Sequence, residues 1–581
     1  MSNQYVDLHK ALASIENHLG NGAALGYSCV LGANGSAPLI HASGLAKNSN
    51  GQNSVNYTVQ TKSQTASVSK FITALATVSM LDTSQTATHL DDLIWTHFPR
   101  SWQASIAAPI KSITFRNLLT HTSGLPAEGA QGEPALDCAS ILAYLSNPQP
   151  APTAPGGTPG YTGHPAYSNF GFALLRILLP VFSTNPDDPR WTGTGAAKNL
   201  ATEYVALVNK HVFAPVGVLD ISTTVVNEAD VAISYVGTPW TEPGWDWNTM
   251  ASPSTFLTAG SYGWFVSADD MQPVLASIAA GDQRIVKTWQ WDHMQGSGTG
   301  IPQYAQNLGL GIDVLTDSTA PGYRWVEKNG GLGYWWNGHS GVLSATVGFF
   351  GSTTLDTPVS NAPVYGTLFI NSDIATGKGC RSGWYLCQKC GALYDRSSGS
   401  DGVCPAPGSH GHTAWGQYTL AQDSPGVAAE SGWGVCVHCE NLVHLAAGAT
   451  SGGHCPAVAG NGPHSCPAGS VWVVPTAHST DPIGEQDGCR RCTACATLYT
   501  SYGPGVCGKA GGGAHTDSGT HYVTHFPIGA PDVLLHALRS ALTTQLVQPV
   551  HWPTPIVVPT PIPEPSPIPG PGPVITPQRQ M

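Results

Sequence analysis

The chain has 581 residues, of which 41% are hydrophobic and only 10% are charged, and its formal net charge is −12. That length exceeds one ordinary hydrophobic core, so two or more domains are expected. The negative charge disfavours a nucleic-acid partner, because nucleic acids normally bind to a basic protein surface. The sequence contains no run of about 18 apolar residues, so no membrane span is predicted. The start of the chain lacks the pattern of a secretory signal, so we expect a cytoplasmic protein, with non-classical export as the alternative.

Residues 1–377 read as one globular domain in which helical and strand-like patterns follow each other. Residues 8–19 space their leucines and isoleucine like a helix. Residues 26–46 alternate like a pair of strands around a turn at 33–35.

Ser67 and Lys70 are the first candidate catalytic pair. A lysine three residues after a serine lies on the same face of a helix, and the apolar residues at 71, 72 and 75 direct that helix into a core. A serine hydroxyl is a poor nucleophile until a base removes its proton. A lysine amine acts as a base only when burial or nearby positive charge makes it neutral. Because Ser-x-x-Lys is common by chance, the interpretation depends on the rest of the chain.

Four later segments supply that context, in a fixed order: Thr120-His121-Thr122-Ser123-Gly124, Tyr167-Ser168-Asn169, Ser267-Ala268-Asp269-Asp270 and His339-Ser340-Gly341. With Ser67 and Lys70, they make residues 5–375 resemble the β-lactamase/penicillin-binding-protein family, in particular its class C β-lactamase-like group of esterases and D-stereospecific peptidases. The resemblance implies an α+β fold in which an antiparallel sheet is flanked by helices, with a helical subdomain and the site between them.

The resemblance also implies a role for each matching residue. Ser67 would attack the carbonyl and form an acyl-enzyme, and Lys70 would be its base or the charge that tunes it. Tyr167, as phenolate or proton shuttle, would help to activate Ser67 and later the water. Asn169 would bind Lys70 and substrate, and the backbone N–H groups of Ser67 and Val342 would form the oxyanion hole.

The third motif of the family is less clear. His339 stands where true β-lactamases usually carry lysine, and neutral imidazole would not bind a β-lactam carboxylate, which favours an esterase or peptidase. Lys328-Asn329-Gly330-Gly331 also resembles the motif. The short turn and β-rich strand after residue 341 favour His339, which leaves Lys328 as a solvated turn residue.

The sequence thus predicts a serine hydrolase that needs no cofactor for catalysis and acts on a small ester, amide or peptide-like substrate. A β-lactamase or D-Ala-D-Ala carboxypeptidase is one alternative. An inactive hydrolase-fold binding protein is another, although the complete set of motif residues argues against it.

Twelve of the 14 cysteines lie in a Gly- and His-rich block, residues 378–526. Three units, at about 380–420, 430–475 and 486–526, each contain a Cys-x-x-Cys knuckle, a third cysteine and a histidine. The knuckle places two thiolates on one side of a tight turn, and the distant pair completes a closed tetrahedral set. The predicted ligands are Cys387, Cys390, Cys404 and His410; Cys436, Cys439, Cys455 and His464; and Cys492, Cys495, Cys507 and His515.

These units resemble zinc ribbons, and units this small need metal to fold, so we expect structural zinc and a role in binding or anchoring an unknown partner. Disulfides are the alternative, which the three cysteines per unit oppose. The histidine choices are open as well, because His412, His454 and His521 lie close by.

The chain ends in two further segments. Residues 527–548 have the apolar spacing of an amphipathic helix. Residues 549–581 hold twelve prolines and are expected to be extended and disordered, with partner binding as the alternative.

Overall fold

The structure is a computed structural model, and residue contacts divide it into a unit of Val6–Leu542 and a smaller unit of Met1–Tyr5 with Thr543–Met581. The structure describes residues 4–20, 23–33, 36–48, 54–84, 89–126, 137–148, 167–224, 230–236, 242–243, 259–296, 309–316, 323–336, 339–352, 364–372, 374, 381–396, 400–408, 411–420, 427–445, 449–460, 462–467, 472–478, 485–500, 505–509, 512–525 and 530–544. The predicted Pro-rich tail, 549–581, lies outside the described residues.

The helices are α1 Leu8–Leu19, α2 Val68–Leu81, α3 Arg100–Gln103, α4 Phe115–Leu119, α5 Cys138–Ser146, α6 Asn169–Ser183, α7 Ala196–Val208, α8 Ala268–Ala280, α9 Thr288–Met294 and α10 Ala530–Ser540. A π-helical turn, Asn209–Phe213, continues α7, and 3₁₀ turns are formed by His89–Asp91, Ile94–His97, Ala108–Ser112, Pro189–Trp191 and Ala214–Val216.

The strands are β1 Gln4–Val6, β2 Gly26–Ala33, β3 Leu39–Lys47, β4 Val55–Asn56, β5 Ser63–Gln64, β6 Tyr235–Val236, β7 Glu242–Pro243, β8 Phe265–Val266, β9 Asp313–Thr316, β10 Tyr323–Trp336, β11 His339–Ser352, β12 Val364–Ile370, β13 Arg381–Cys387, β14 Leu393–Asp395, β15 Ala414–Leu420, β16 Ala429–Val435, β17 Leu442–His444, β18 Ser451–Gly452, β19 His464–Ser465, β20 Trp472–Pro475, β21 Glu485–Cys492, β22 Leu498–Thr500, β23 Asp517–His525 and β24 Leu542–Thr544.

A seven-stranded sheet organises the first part of the chain, in the order β4-β3-β2-β12-β11-β10-β9. All of its strand pairs are antiparallel. The longest pair is β10 with β11, whose register runs from Tyr323 opposite Ser352 to Trp336 opposite His339. The predicted strand pair at 26–46 is confirmed as β2 and β3, and the mixed helix and antiparallel-sheet class is confirmed as well.

One face of the sheet packs against a large helical core. Helix α2 is buried on nearly every side, and Lys70 is its only charged residue, so it runs through the interior rather than along the surface. Helix α6 is also apolar nearly all round. Phe71 and Leu75 from α2 and Leu174 from α6 lie in one buried cluster with residues of the sheet. The first turn of α2 is therefore held at the edge of this core.

The other face of the sheet is covered by α1, which matches the predicted helix at 8–19, and by α10. Val533, Leu534 and Leu538 of α10 are fully buried, in one cluster with Ile15 of α1 and Leu368 of the sheet. The first residue of α10 donates its backbone N–H to Ser344 Oγ of β11 at 2.8 Å. The sequence predicted a separate helix over 527–548; the helix covers Ala530–Ser540 and belongs to the core of the first region.

The Cys-rich region is thus an insertion between β12 and α10. It consists of three segments, 381–420, 427–478 and 485–525, which we call Cys segments 1, 2 and 3. Each has a strand that leads to a Cys-x-x-Cys turn, a short strand directly after it and a strand near its end. The segments share an aromatic centre that contains Trp384, Tyr418, Trp433, Trp472 and Tyr522.

Backbone hydrogen bonds join the three Cys segments in a closed ring. Each link runs from the short strand of one segment to the knuckle side of another: Asp395 N–H to Glu440 O (2.9 Å), His444 N–H to Ala496 O (2.9 Å) and Thr500 N–H to Gly391 O (3.0 Å). Because every segment contacts both of the others, the three Cys segments form one structural unit rather than three independent ones.

Among the described residues, no helix combines the length and apolar character needed to cross a membrane.

Candidate active site and cysteine clusters

Ser67 lies directly before α2, at a turn where its hydroxyl meets two polar groups. Lys70 donates from Nζ to Ser67 Oγ at 3.0 Å, as expected for residues one helical turn apart. The Tyr167 hydroxyl oxygen lies 2.5 Å from the same atom, within hydrogen-bond distance. Ala66, before the serine, has a φ of 45°, a strained value for a residue with a side chain. The structure thus brings three predicted residues together at one oxygen atom.

Lys70 is fully buried, and its ammonium group contacts several acceptors. Besides Ser67, it donates to Asn169 Oδ1 at 2.7 Å and to the carbonyl of Ser261 at 3.0 Å. Its Nζ also lies 4.8 Å from the centre of the Tyr167 ring. Three oxygen acceptors match the three N–H donors of an ammonium group, so the charge is well supported in this buried place. Asn169 therefore occupies the predicted position beside Lys70.

His121 supports the tyrosine side of the site, a role that the sequence analysis missed although it singled out the surrounding motif. Its ring lies 4.5 Å from the Tyr167 ring, centre to centre. Its Nδ1 accepts the backbone N–H of Ser168 at 3.1 Å, and among the described residues its Nε2 has no hydrogen-bond partner. Burial, and then the charges of Lys328 and Lys70, hold the pKa of His121 well below its usual value, so the ring is neutral.

The strand beside the nucleophile is β10, not the start of β11. A Cβ atom built on Gly330 would lie 2.4 Å from the carbonyl oxygen of Thr65 and 2.9 Å from the backbone nitrogen of Ser67. His339 pairs with Trp336, six residues further along β10, which at about 3.4 Å per residue is about 20 Å away. The prediction that His339 supplies the third motif is therefore corrected: Lys328-Asn329-Gly330 stands in that place.

The prediction for Val342 changes with it. Val342 pairs with Gly333, whereas Gly330 pairs with Ala345, so Val342 is displaced along the sheet from the residue that meets Ser67. Beyond Glu327, no described strand pairs with the β9 side of β10. Gly331, next to Gly330, is exposed, and nothing lies within 4 Å of its Cβ position. Gly331, which directly follows the contact of β10 with the nucleophile turn, is thus nearer to Ser67 along the sheet than Val342 is.

Lys328 is buried in the site, not solvated in a turn as the sequence suggested. Its side chain is 3% exposed, and its Nζ lies 5.3 Å from the centre of the Tyr167 ring. It makes a 3.1 Å ion pair with Asp313 of β9. The intervening Asn329 is turned elsewhere, since it donates to Glu327 at 2.7 Å and accepts from Thr346 at 2.8 Å.

The predicted Ser267-Ala268-Asp269-Asp270 helix start also contributes to the site. Ser267 and Asp270 form a reciprocal capping box at the start of α8. Just before it, the carbonyl of Trp264 accepts the backbone N–H of Thr65 at 2.9 Å. The nucleophile turn is thus held by the segment before α8 as well as by β10.

Three groups of cysteine and histidine side chains lie in the Cys-rich region, and within each group the ligand atoms are all within 4.8 Å of one another. In each, the first and third cysteine sulfurs are 3.7 Å apart. Four ligands around zinc at about 2.3 Å place sulfur atoms close to this distance, whereas a disulfide bond is about 2.05 Å long. The groups are Cys387, Cys390, Cys404 and His412; Cys436, Cys439, Cys455 and His464; and Cys492, Cys495, Cys507 and His515.

One histidine prediction is replaced. His410 lies outside the described residues, and His412 completes the first group, with Nδ1 3.4 Å from Cys390 Sγ. His464 and His515 occupy the equivalent places, 3.4 and 3.5 Å from the second knuckle cysteine of their groups. His454 and His521 belong to none of the three groups.

Two of the three histidine rings also bridge neighbouring Cys segments. His412 Nε2 lies 3.2 Å from the carbonyl oxygen of Cys439, and His515 Nε2 lies 3.1 Å from that of Cys390. A ligand histidine commonly donates its second N–H to a carbonyl, which fixes its tautomer and orientation. The same rings therefore serve a cluster in one segment and a knuckle in another.

The model of the Beta-lactamase family matches residues 13–374 of this chain. The chain therefore belongs to the β-lactamase family, whose members are serine hydrolases, through its first region. No curated protein matches it.

Several solved structures resemble the chain. One is an octameric penicillin-binding protein homologue from Pyrococcus abyssi, 17% identical, covering 63% of this chain and 74% of that one with a TM-score of 0.45. A class C beta lactamase from Rhodobacter sphaeroides is 16% identical, covering 62% and 94%, with a TM-score of 0.39. The D-amino acid amidase from Ochrobactrum anthropi SV3 is 18% identical, covering 63% and 91%, with a TM-score of 0.42.

Proposed function

We propose that the protein is a serine hydrolase that cleaves an ester or amide through an acyl-enzyme on Ser67. The observation that carries the proposal is the convergence of Lys70 Nζ and the Tyr167 hydroxyl on Ser67 Oγ, at 3.0 and 2.5 Å. A nucleophilic serine needs a partner that can take its proton within hydrogen-bond reach, and both candidates meet that requirement.

In the reaction that we propose, the Tyr167 oxygen, ionised beside the Lys70 ammonium, takes the proton of Ser67 as Oγ attacks the carbonyl carbon. Tyr167 then gives that proton to the departing alcohol or amine, which leaves the acyl group on Ser67. A water molecule repeats the sequence: it loses a proton to Tyr167, attacks the ester carbon and releases the acid, and Ser67 regains its proton. Neutral His121 keeps the Tyr167 ring in place throughout.

The oxyanion that forms during both attacks needs N–H donors. We assign this role to the backbone amides of Ser67 and Gly331, since Gly331 directly follows Gly330, the residue through which β10 contacts the nucleophile turn. Loss of a single oxyanion-hole donor in serine hydrolases typically costs about 3 kcal/mol.

The Cys-rich region is assigned structural zinc, one ion in each group of three cysteines and one histidine. The sulfur spacing of 3.7 Å and the four N and S ligands of each group suit tetrahedral zinc. None of these twelve side chains is among those at Ser67, so the ions would stabilise the fold and take no step in hydrolysis.

The direct test of the active site is labelling with a fluorophosphonate probe, followed by turnover of p-nitrophenyl esters, nitrocefin and D-amino-acid amides. We expect Ser67→Ala to abolish both labelling and turnover. Ser79→Ala is the matched control, since Ser79 is on the same helix, about 18 Å further along, and should leave both unchanged. Equal labelling of the Ser67→Ala variant would contradict the assignment and favour a hydrolase fold used for binding.

A further inference from the structure

A lysine and an aspartate form an ion pair at the wall of the Ser67 site. Lys328 Nζ lies 3.1 Å from a carboxylate oxygen of Asp313, and the Asp313 side chain is 26% exposed, whereas Lys328 is 3% exposed. Lys328 shares its strand face with Gly330, two residues on, and that is the face that touches Ser67. The carboxylate is therefore the solvent-facing half of a pair built into the cleft.

The pair changes what this lysine can bind. A buried ammonium without a partner would be costly, and a substrate carboxylate would be its natural counter-ion. Here Asp313 already supplies that charge. A second carboxylate brought to Lys328 would meet the like charge of Asp313 within a few ångströms, in a half-buried place where screening by water is weak.

The other ammonium group of the site does not offer a substitute. Lys70 is fully buried and already contacts Ser67, Asn169 and the carbonyl of Ser261. Asn329, between Lys328 and Gly330, is engaged by Glu327 and Thr346 on the opposite strand face. Among the described residues, the Lys70 and Asn329 side chains beside Ser67 and Lys328 are therefore already engaged within the protein.

We propose that Asp313 is a specificity-determining residue: it neutralises Lys328 and directs the Ser67 site to neutral esters and amides, against acyl donors that carry a carboxylate near the scissile bond. The inference rests on the proposed hydrolase function and adds the substrate class. If the inference holds, β-lactams that carry a carboxylate are poor substrates because the Asp313 carboxylate repels that group.

The test compares p-nitrophenyl butyrate with p-nitrophenyl hemisuccinate, which differ by a terminal carboxylate, on the full-length protein. In Asp313→Asn, the ratio of kcat/KM for hemisuccinate to that for butyrate should rise at least tenfold, mainly through a lower KM for the hemisuccinate. Asp313→Glu should keep the wild-type ratio within threefold. Lys328→Gln, which leaves Asp313 without its cation, should lower the ratio further.

Asp187→Asn is the control for net charge, because it also breaks an aspartate ion pair, with Arg100, but on an exposed surface. Its ratio should equal that of the wild type, and thermal melting of all variants should show that they fold. A ratio in Asp313→Asn within threefold of the wild type, or an equal rise in Asp187→Asn, would overturn the inference.

A binding measurement separates this inference from the hydrolase proposal. Calorimetry with butyrate and with the neutral butyramide requires no turnover. Asp313→Asn should tighten the binding of butyrate at least tenfold relative to butyramide, and an unchanged ratio would count against Asp313 even in an active enzyme. If the binding ratio shifts as expected while the wild type neither turns over esters nor labels at Ser67, only the hydrolase proposal fails.

Discussion

Gly330 touches Ser67 so closely that a Cβ atom at position 330 would lie 2.9 Å from the serine's backbone nitrogen. Real Cβ atoms do not approach other atoms that closely, so strand β10 and the nucleophile turn fit together only with glycine here. The same turn is also held by the hydrogen bond from Thr65 N–H to Trp264 O, at 2.9 Å. The position of Ser67 is therefore set by two separate contacts before any substrate binds.

Gly330→Ala should accordingly lower kcat/KM for a neutral ester at least about 100-fold, because a displacement of the nucleophile by about 1 Å is enough for such a loss. Steady-state kinetics on p-nitrophenyl butyrate measure it. Gly195→Ala is the control, since the φ of Gly195 is −87° and its Cβ would meet nothing closer than 3.7 Å. Wild-type activity in Gly330→Ala would mean that β10 does not press on the nucleophile turn.

A pair of alanine variants tests which of Lys328 and His339 supplies the third motif. Lys328→Ala should lower kcat/KM at least tenfold, because it removes a cation 5.3 Å from the Tyr167 ring centre and leaves Asp313 unpaired. His339→Ala should change it less than threefold, since its backbone pairs with Trp336, far along the hairpin from Gly330. The reverse ranking, with both proteins folded, would return the third motif to His339.

His121 gives the protein a pH-dependent stability of known sign. In the folded state burial holds its pKa well below the value of about 6.5 that it has when unfolded. Between those values the unfolded chain binds the extra proton, so stability falls as the pH drops below about 6.5. His121→Phe keeps the ring and should reduce the loss of Tm between pH 7 and pH 5.

The same variant should lower kcat about tenfold, because Ser168 N–H loses its acceptor next to Tyr167. Burial also lowers the pKa of His97 and His211, so part of the pH dependence of Tm will remain. His521→Gln, on an exposed histidine, serves as the control and should leave the Tm profile and kcat as they are. A profile unchanged by His121→Phe would show that this ring does not stay neutral.

Metal content tests the Cys-rich region. Protein purified under reducing conditions should hold three zinc ions per chain by elemental analysis, and Cys436→Ser at most two. Cys466→Ser changes a buried cysteine of the same Cys segment that belongs to no group, so it should keep three. One zinc or none in the wild type would refute the assignment.

Chelation should have a graded effect on the whole protein. We expect loss of the Trp384 and Trp433 environment, seen in fluorescence, and a lower Tm for the first region, because α10 follows the insertion and packs on the sheet. Ester hydrolysis at room temperature should stay above about half, since no ligand side chain lies at Ser67. If turnover fell in proportion to the zinc lost, hydrolysis at Ser67 would depend on the Cys-rich region, contrary to this prediction.

Local patterns were enough to find the residues around Ser67 Oγ. Lys70 lies one helical turn after Ser67, in the first turn of α2, and the Tyr167-Ser168-Asn169 motif leads into α6, which begins at Asn169. The third motif depends instead on which strand the sheet places beside the nucleophile. Lys328-Asn329-Gly330-Gly331 looks like a turn because two glycines normally weaken a strand, and here glycine is required by the close approach of Ser67.

The Cys-rich region shows the same limit. Cysteine spacing alone predicted the nine cysteines that the structure groups, because two of the three in each segment are fixed by the knuckle. The histidine of Cys segment 1 was misplaced by two residues, since a Gly-rich loop carries no periodicity from which to read the direction of a side chain. That α10 returns to the sheet is a long-range packing event, which its apolar spacing does not reveal.

The insertion between β12 and α10 has a consequence for how the molecule is made. A ribosome delivers the sheet first, then all three Cys segments, and only afterwards the helix that covers the second sheet face. Until then Leu31, Leu368 and Ile370 lack their α10 neighbours. Nascent chains halted between residues 420 and 525 would thus expose the apolar sheet face that α10 later covers. The binding of chaperones to the nascent chain should end when residue 540 emerges.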